Sequence, residues 1–393
     1  MKRRNRRPFL LSLGIAGMVL AILITSVAVV LAAPYSSHAA GAHSARNNDD
    51  RAKTINGLNR IAMVGSTAAI VDAKGHTAAV DPNPYGVAIV PANMNMSNGL
   101  KAGDILVSNI GAQDKGNTVV NFPGKKGPGH LFNVMDSKGT MGPSGIAFNA
   151  QSGTVWNANA TANDVQVFKR DGTVLTTITN PLFNHPWGMA TNNGTPNKAD
   201  GSVDAFFTTN VTDGTIDRID IIPQKGQALP MFKVFQIGQF DKNGEKTKIG
   251  VTWLPMLKIK DQVLKDVLLA IDPANSRIAA FANSSTANTT AMKATDKGMT
   301  VFQGKPLNVP GGFAINPLNG DLLVVNLNDN NLVELNMTQG KAVGVKQVDN
   351  VPVDLQTGNG SALFGVVATK DARGNLVVYY TDDNTNTLNM LSN

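Results

Sequence analysis

Pro143-Ser144-Gly145-Ile146-Ala147, followed by Thr154-Val155-Trp156-Asn157 and then Asn163-Asp164-Val165-Gln166-Val167-Phe168, is the stretch that decides the fold. Its opening, a proline, any residue, a glycine and an alternating apolar run, recurs along the chain. The copies are Pro84-Tyr85-Gly86-Val87-Ala88, Pro186-Trp187-Gly188-Met189-Ala190 and Pro310-Gly311-Gly312-Phe313-Ala314. Two others, Ile249-Gly250-Val251-Thr252 and Phe364-Gly365-Val366-Val367, keep the glycine and the strand. Each copy leads to a second strand closed by Asn or Asp, at Asn109, Asn157, Asn210, Asp272, Asn326 and Asp382. Proline has no N–H to donate and suits the start of a strand, while glycine permits close backbone approach. The terminal Asn or Asp can bond local backbone and fix the following turn.

The glycines at 86, 145, 188, 250, 312 and 365 stand 43 to 62 residues apart. A four-stranded propeller blade takes about 40–50 residues, so the spacing predicts blades with loop insertions. The expected fold is all-β: a single β-propeller of six four-stranded blades. Composition agrees, because Val, Thr, Asn and Gly abound while Glu occurs only at positions 245 and 334. Three strands of the last blade precede Asn393, and a bare strand edge invites aggregation. N- and C-terminal strands are therefore expected to pair in one blade. Ala68-Ala69-Ile70-Val71 and Thr77-Ala78-Ala79-Val80 are the candidates for that closing strand.

The Pro-x-Gly-apolar-Ala, strand-Asp and Asn-x-apolar units resemble those of NHL-type propellers, over about residues 80–391. The segment His185-Pro186-Trp187-Gly188-Met189-Ala190 is similar to one that marks a group of exported bacterial propellers. Two of the six copies lack the Pro, a departure from the strict NHL pattern. The resemblance implies a fold and leaves activity open.

The N-terminus reads as an address. Lys2, Arg3, Arg4, Arg6 and Arg7 precede an apolar run from Phe9 to Ala33, the pattern of an export signal. Small residues at Val30 and Ala32, or Ser37 and Ala39, suit cleavage. The run is also long enough to span a bilayer, so a retained anchor is the competing reading. Residues 1–33 are thus expected to be signal peptide or signal anchor, 34–53 a flexible spacer and 54–393 the propeller. The propeller itself is placed outside the cytoplasm, secreted or held to the membrane through residues 9–33.

The net charge of +7 comes largely from that N-terminus; without its five cations the net is +2. No basic stripe with interleaved aromatics remains, so nucleic acid is not an expected partner. The absence of Cys excludes disulfides and thiolate metal sites.

Candidate chemistry centres on the residues beside the repeat glycines. A lactonase resembling the gluconolactonase group would place metal-binding acids there. This chain has Tyr85, Ser144, Trp187, Ile249, Gly311 and Phe364 instead, so neither metal nor cofactor is expected. Tyr85, Trp187 and Phe364 hold equivalent positions and predict an aromatic rim at one channel mouth, with Ser144 nearby, suited to an uncharged ligand such as a sugar. Streptogramin-lyase-type propellers, which the chain resembles in its repeated Pro-x-Gly strands though they have seven blades, use a catalytic His with acidic partners; His185, at the start of an inner strand, is the candidate here. His130, in a glycine-rich loop, is the lesser candidate. Trp156 and Trp253 are expected in the core, and the Asn/Asp ring is expected to cap turns. The polar stretch 283–297 is a loop insertion that could serve recognition. The function expected is a monomeric exterior binding or scaffold module for carbohydrate or protein. A hydrolase or lyase in the channel mouth is the alternative. An acid within reach of His185 would favour the enzyme, and a chargeless aromatic mouth would favour binding.

Overall fold

The computed structural model describes residues 53–393, apart from 73, 95–98, 125–126, 135–140, 193, 195–200, 242–249 and 287–295. The expected signal segment, the spacer as far as residue 52, Ile249 and most of the 283–297 loop lie outside the described residues.

Six antiparallel four-stranded sheets follow one another along the chain. The first runs outward through Pro84–Ile89, Ile105–Asn109, Thr118–Phe122 and His130–Val134. The other inner strands are Pro143–Asn149, Pro186–Thr191, Val251–Ile259, Pro310–Ile315 and Leu363–Lys370. Each inner strand touches the next, and Leu363–Lys370 returns to Pro84–Ile89, so the ring is closed. The fold is the six-bladed propeller that the repeat implied.

The repeat glycines are where the inner strands meet. A methyl group on Gly86 would collide with the carbonyl oxygen of Ser144, one on Gly145 with that of Trp187, and one on Gly312 with that of Phe364. Gly365 stands in the same relation to the Tyr85 carbonyl, and a methyl group on Gly250 would lie 2.8 Å from that of Gly311. Five blades thus present their glycine to the backbone just before the next blade's glycine, a spacing that only a residue without Cβ allows.

Between blades the core is largely apolar. Leu269, Ile271 and Ile278 of blade four pack on Phe313, Val324 and Val333 of blade five. Trp156 of blade two stacks on Phe206 of blade three at 3.9 Å. Blade three also encloses charge: Arg218 is wholly buried, with Nε 2.7 Å from Asp220 Oδ1 and its guanidinium over Phe235. Burial pushes Asp217 up to about 8, Asp321 to about 7 and Asp204 to about 6, and the Glu334 carboxylate adds to the rise at Asp321.

The N- and C-terminal strands do pair in one blade, but through a different segment from the one expected. Arg60–Ser66 lies antiparallel to Thr387–Ser392, from Arg60 opposite Ser392 to Ser66 opposite Thr387. Ala69–Val71 and Thr77–Ala79 instead form a separate two-stranded hairpin. Three residues each, joined by a turn in which Asp72 accepts the N–H groups of Lys74 and His76, they satisfy one another and are too short to cover a six-residue edge. The turn Ile55–Gly57 adds a second fastening, since Ile55 N donates to buried Glu334 Oε2 in blade five at 2.8 Å.

The terminal Asn/Asp residues act as latches: Asp382 caps the following turn as expected, its Oδ1 accepting Thr385 N at 3.1 Å, while others reach back to the loop before their own inner strand. Asn210 Oδ1 accepts Asn184 N at 2.9 Å, and Asn326 Oδ1 accepts Asn308 N at 3.1 Å. One position is corrected: in blade two the residue opposite Pro143 is Asn159, whereas Asn157 lies opposite Ile146. The second strand there runs Thr154–Asn159, and Asn159 Nδ2 makes the local bond, to Asp164 Oδ1 at 2.7 Å.

Candidate functional site

The ring has two faces. On one, the mouth face, outer strands pass to the next inner strand and second strands turn into third strands. The candidate residues gather there because of a bulge. Pro84 lies opposite Asn109 but Val87 lies opposite Val107, three residues against two. The same shift occurs between Pro143 and Ile146, Pro186 and Met189, and Leu363 and Val366. A bulge re-aims the side chain it carries. The residue in the middle of Pro-x-Gly is the one re-aimed.

Three of those side chains are aromatic, and they meet. Tyr85 stacks on Phe364 with centroids 3.9 Å apart and meets the edge of Trp187 at 4.8 Å. Ser144, on the blade between Tyr85 and Trp187, is small enough to let the two rings touch. Its hydroxyl lies 3.1 Å from Ala158 O and 3.0 Å from Pro186 O, so it serves the backbone around the rings. Ile110, Ala160 and Val211, each following a latch Asn, pack against the same cluster. Tyr85 and Trp187 are only 6% exposed, whereas Phe364 is half-buried, so the rings form more of a plug than an open rim. They and the ring of glycines line an axial cavity of about 100 Å³.

The bulge leaves glycine N–H groups to be satisfied, and hydroxyls do it in the aromatic blades. Gly86 N donates to Ser108 Oγ at 3.0 Å, Gly188 N to Thr209 Oγ1 at 2.9 Å and Gly365 N to Thr381 Oγ1 at 2.9 Å. Each hydroxyl residue immediately precedes its latch Asn or Asp.

His185 extends the row. Its ring lies nearly parallel to Trp187, 6.0 Å away and tilted by 14°. Its Nε2 is 3.3 Å from Asp114 Oδ2, with side-chain exposures of 27% and 32%. The backbone holds it firmly: His185 has φ 63°, its N–H donates to Asn163 Oδ1 at 2.6 Å, and its carbonyl accepts Val211 N at 3.0 Å. Gln113 and Asp114 share that left-handed conformation. Three such residues at one spot carry backbone strain of about 1–3 kcal/mol each, a cost met most often at functional sites. A line of contacts, Asp114, His185, Trp187, Tyr85, Phe364, therefore crosses the mouth from an accessible carboxylate to a half-buried ring.

Sequence reasoning missed Asp114. Its signal was loop length: the turn between second and third strands spans 110–117 in blade one but 160–163 in blade two. The longer loop leans over blade two, where the Thr161 hydroxyl donates to the Asp114 carbonyl, and so reaches the start of blade three. Asp382, another mouth residue, is held above the usual carboxylate range by burial and then by the Asp349 carboxylate. His130 belongs elsewhere, on the outer strand of blade one, with Nδ1 3.0 Å from Val71 O. Trp156 is in the core. Trp253 is half-buried and donates from Nε1 to Asp266 Oδ1 at 2.8 Å. Among the described residues no three His, Asp or Glu side chains converge as metal ligands would.

No protein-family model matches the chain, and no curated protein matches it in sequence. Solved structures do resemble it. A protein of unknown function from Bacteroides thetaiotaomicron superposes with a TM-score of 0.51 at 12% identity, over 84% of this chain and 75% of that one. A gluconolactonase from Xanthomonas campestris gives 0.49 at 13% identity over 80% and 87%. Virginiamycin B lyase from Staphylococcus aureus gives 0.48 at 12% identity over 80% and 96%. Likeness at this level is likeness of fold.

Proposed function

We propose that this protein is an exported, NHL-like propeller that binds an extracellular carbohydrate or protein at its mouth face. The observation that carries the reading is the unbroken row from Asp114 to Phe364. It sets a carboxylate and an imidazole, both accessible, beside a rigid apolar surface, the combination that fixes a polar ligand's orientation while burying part of its area. An oligosaccharide suits it: hydroxyls of one unit would donate to Asp114 at one end of the row, and the apolar face of another would lie against Phe364 at the other. The proposal is tested by screening glycans and secreted peptides, then titrating any hit against His185→Ala, Asp114→Asn and Phe364→Ala. Loss of at least tenfold in affinity in variants that remain folded at the assay temperature supports it; full affinity in all three variants rejects the mouth as the site.

The His185–Asp114 pair also favours the second reading, a hydrolase or lyase. A carboxylate beside an imidazole orients the ring, and an oriented imidazole is suited to serve as a general base. Turnover of a captured ligand that falls at least a hundredfold in His185→Ala, with binding retained, would make the protein an enzyme.

A further inference from the structure

We propose that the face opposite the mouth docks on an anionic lipid bilayer, with the blade-four hairpin as its leading contact. The inner strand of blade four, Val251–Ile259, and its partner, Gln262–Asp272, are much longer than their equivalents in blade five, Pro310–Ile315 and Leu322–Asn326. The third strand of blade four reaches only as far as the Leu268–Phe281 pair. Residues 262–267 therefore run on beside 254–259 as a two-stranded ribbon of about 20 Å. One side of it is anchored: Leu257 and Ile259 pack with Leu335 and Met337 of blade five, and Lys260 N donates to Thr338 O at 3.2 Å.

The register puts Met256 opposite Lys265 and Lys258 opposite Val263, so these four share the other side. All are exposed, Met256 and Val263 at 53% each. Lys260 projects at the tip beside one carboxylate, Asp261. Asp266 is occupied by Trp253 Nε1 and by Ser285 Oγ at 2.7 Å. Alternating methionine or valine with lysine on one exposed surface is what a lipid interface accommodates, the apolar groups entering the headgroup layer while the ammonium groups reach phosphates.

The surroundings point to the same partner. Among the described residues, turns on this face carry Lys101, Lys169, Arg170, Lys225, Lys341 and Arg373 besides the hairpin lysines, against exposed Asp171 and Asp371. The mouth loops carry Asp81, Asp114, Asp213, Asp329, Asp349 and Asp383 against Lys115 and Lys305. The chain also joins the propeller here, since the Lys53 carbonyl accepts Asn316 Nδ2 at 2.8 Å and Asn319 Nδ2 at 3.3 Å in the first turn of blade five. Residues 34–52 alone separate that point from the apolar run ending at Ala33. The proposal rests on export of the chain and is independent of what the mouth binds.

The test is flotation of residues 46–393, which hold the closed ring and both fastenings, with vesicles of phosphatidylcholine alone or with about 30% phosphatidylglycerol. Binding is expected only to the anionic vesicles. Lys258→Gln, Lys260→Gln and Lys265→Gln together should weaken it about a hundredfold. Met256→Ser with Val263→Ser should weaken it too, while His185→Ala should not. Equal binding to both vesicles, an unaffected triple variant, or a dimer dissolved by the Met256/Val263 pair would overturn the proposal. In the full chain reconstituted into anionic vesicles, Lys258, Lys260 and Lys265 should be protected from acylation while Lys115 and Lys305 are not. Uniform labelling would also overturn it.

Discussion

Blades one, three and six differ from blades two and five at a single pair of positions. The former join an aromatic bulge residue to a hydroxyl one place before the latch: Tyr85 with Ser108, Trp187 with Thr209, Phe364 with Thr381. The latter have Ser144 with Ala158 and Gly311 with Val325. The bulge, the glycine and a latch Asn or Asp are common to all five blades, although Leu363 replaces the strand-start Pro in blade six. The scaffold is thus nearly symmetric, and one coupled substitution breaks the symmetry, concentrating aromatic and titratable groups along the arc from blade six through blade three.

Variants can sharpen that contrast. The shared elements should be the most sensitive. Gly86→Ala or Gly365→Ala drives a methyl into the neighbouring blade's carbonyl and should cost more than about 3 kcal/mol in denaturant unfolding, or prevent folding. The buried charge of blade three comes next. Asp217 is pushed up to about 8 by burial, so the folded state holds a proton that the unfolded chain releases near pH 4. Its contribution is complete below pH 4 and is lost as pH rises towards 8. Wild type should therefore lose stability on the order of 3 kcal/mol between pH 5 and pH 8 through this residue, and Asp217→Asn should remove most of that slope.

Within the asymmetric set, Trp187→Ala should cost about 3 kcal/mol and half-buried Phe364→Ala less, each read by thermal melting. Thr381→Val strands the Gly365 N–H and should cost about 1–2 kcal/mol, whereas Ala158→Ser in blade two should change little. A Thr381→Val variant as stable as wild type would break the coupling between ring and hydroxyl. The smallest stability effect belongs to His185→Gln, at most about 1 kcal/mol, because the pair with Asp114 is partly exposed.

The architecture was legible because its constraints repeat. Six glycines recur, five of them under the same steric demand, and a proline at the strand start reinforces the mark in four copies. The aromatic positions were legible for the same reason, being fixed relative to those glycines. Features that occur once were harder. In blade two both Asn157 and Asn159 fit the pattern, and only pairing with Pro143 chooses between them. Arg60–Ser66 hardly alternates, because an outer strand buries little: Ile61 and Met63 face water while Val64 is buried. Asp114 meets His185 through the reach of one long loop, a matter of length rather than residue type. The blade-four ribbon escaped notice because Pro255 sits in its first strand and the extra strand length looks like ordinary loop insertion.

The pairing of Arg60–Ser66 with Thr387–Ser392 also sets a clock on folding. A chain emerging from its N-terminus carries the closing strand first and must hold it unpaired until nearly its last residue has appeared. Blades one to five can form in turn from neighbouring segments, but the ring shuts only in one late, long-range step of the kind that slows folding. Until then the molecule is an open arc with two unpaired edges, the form that a chaperone would meet.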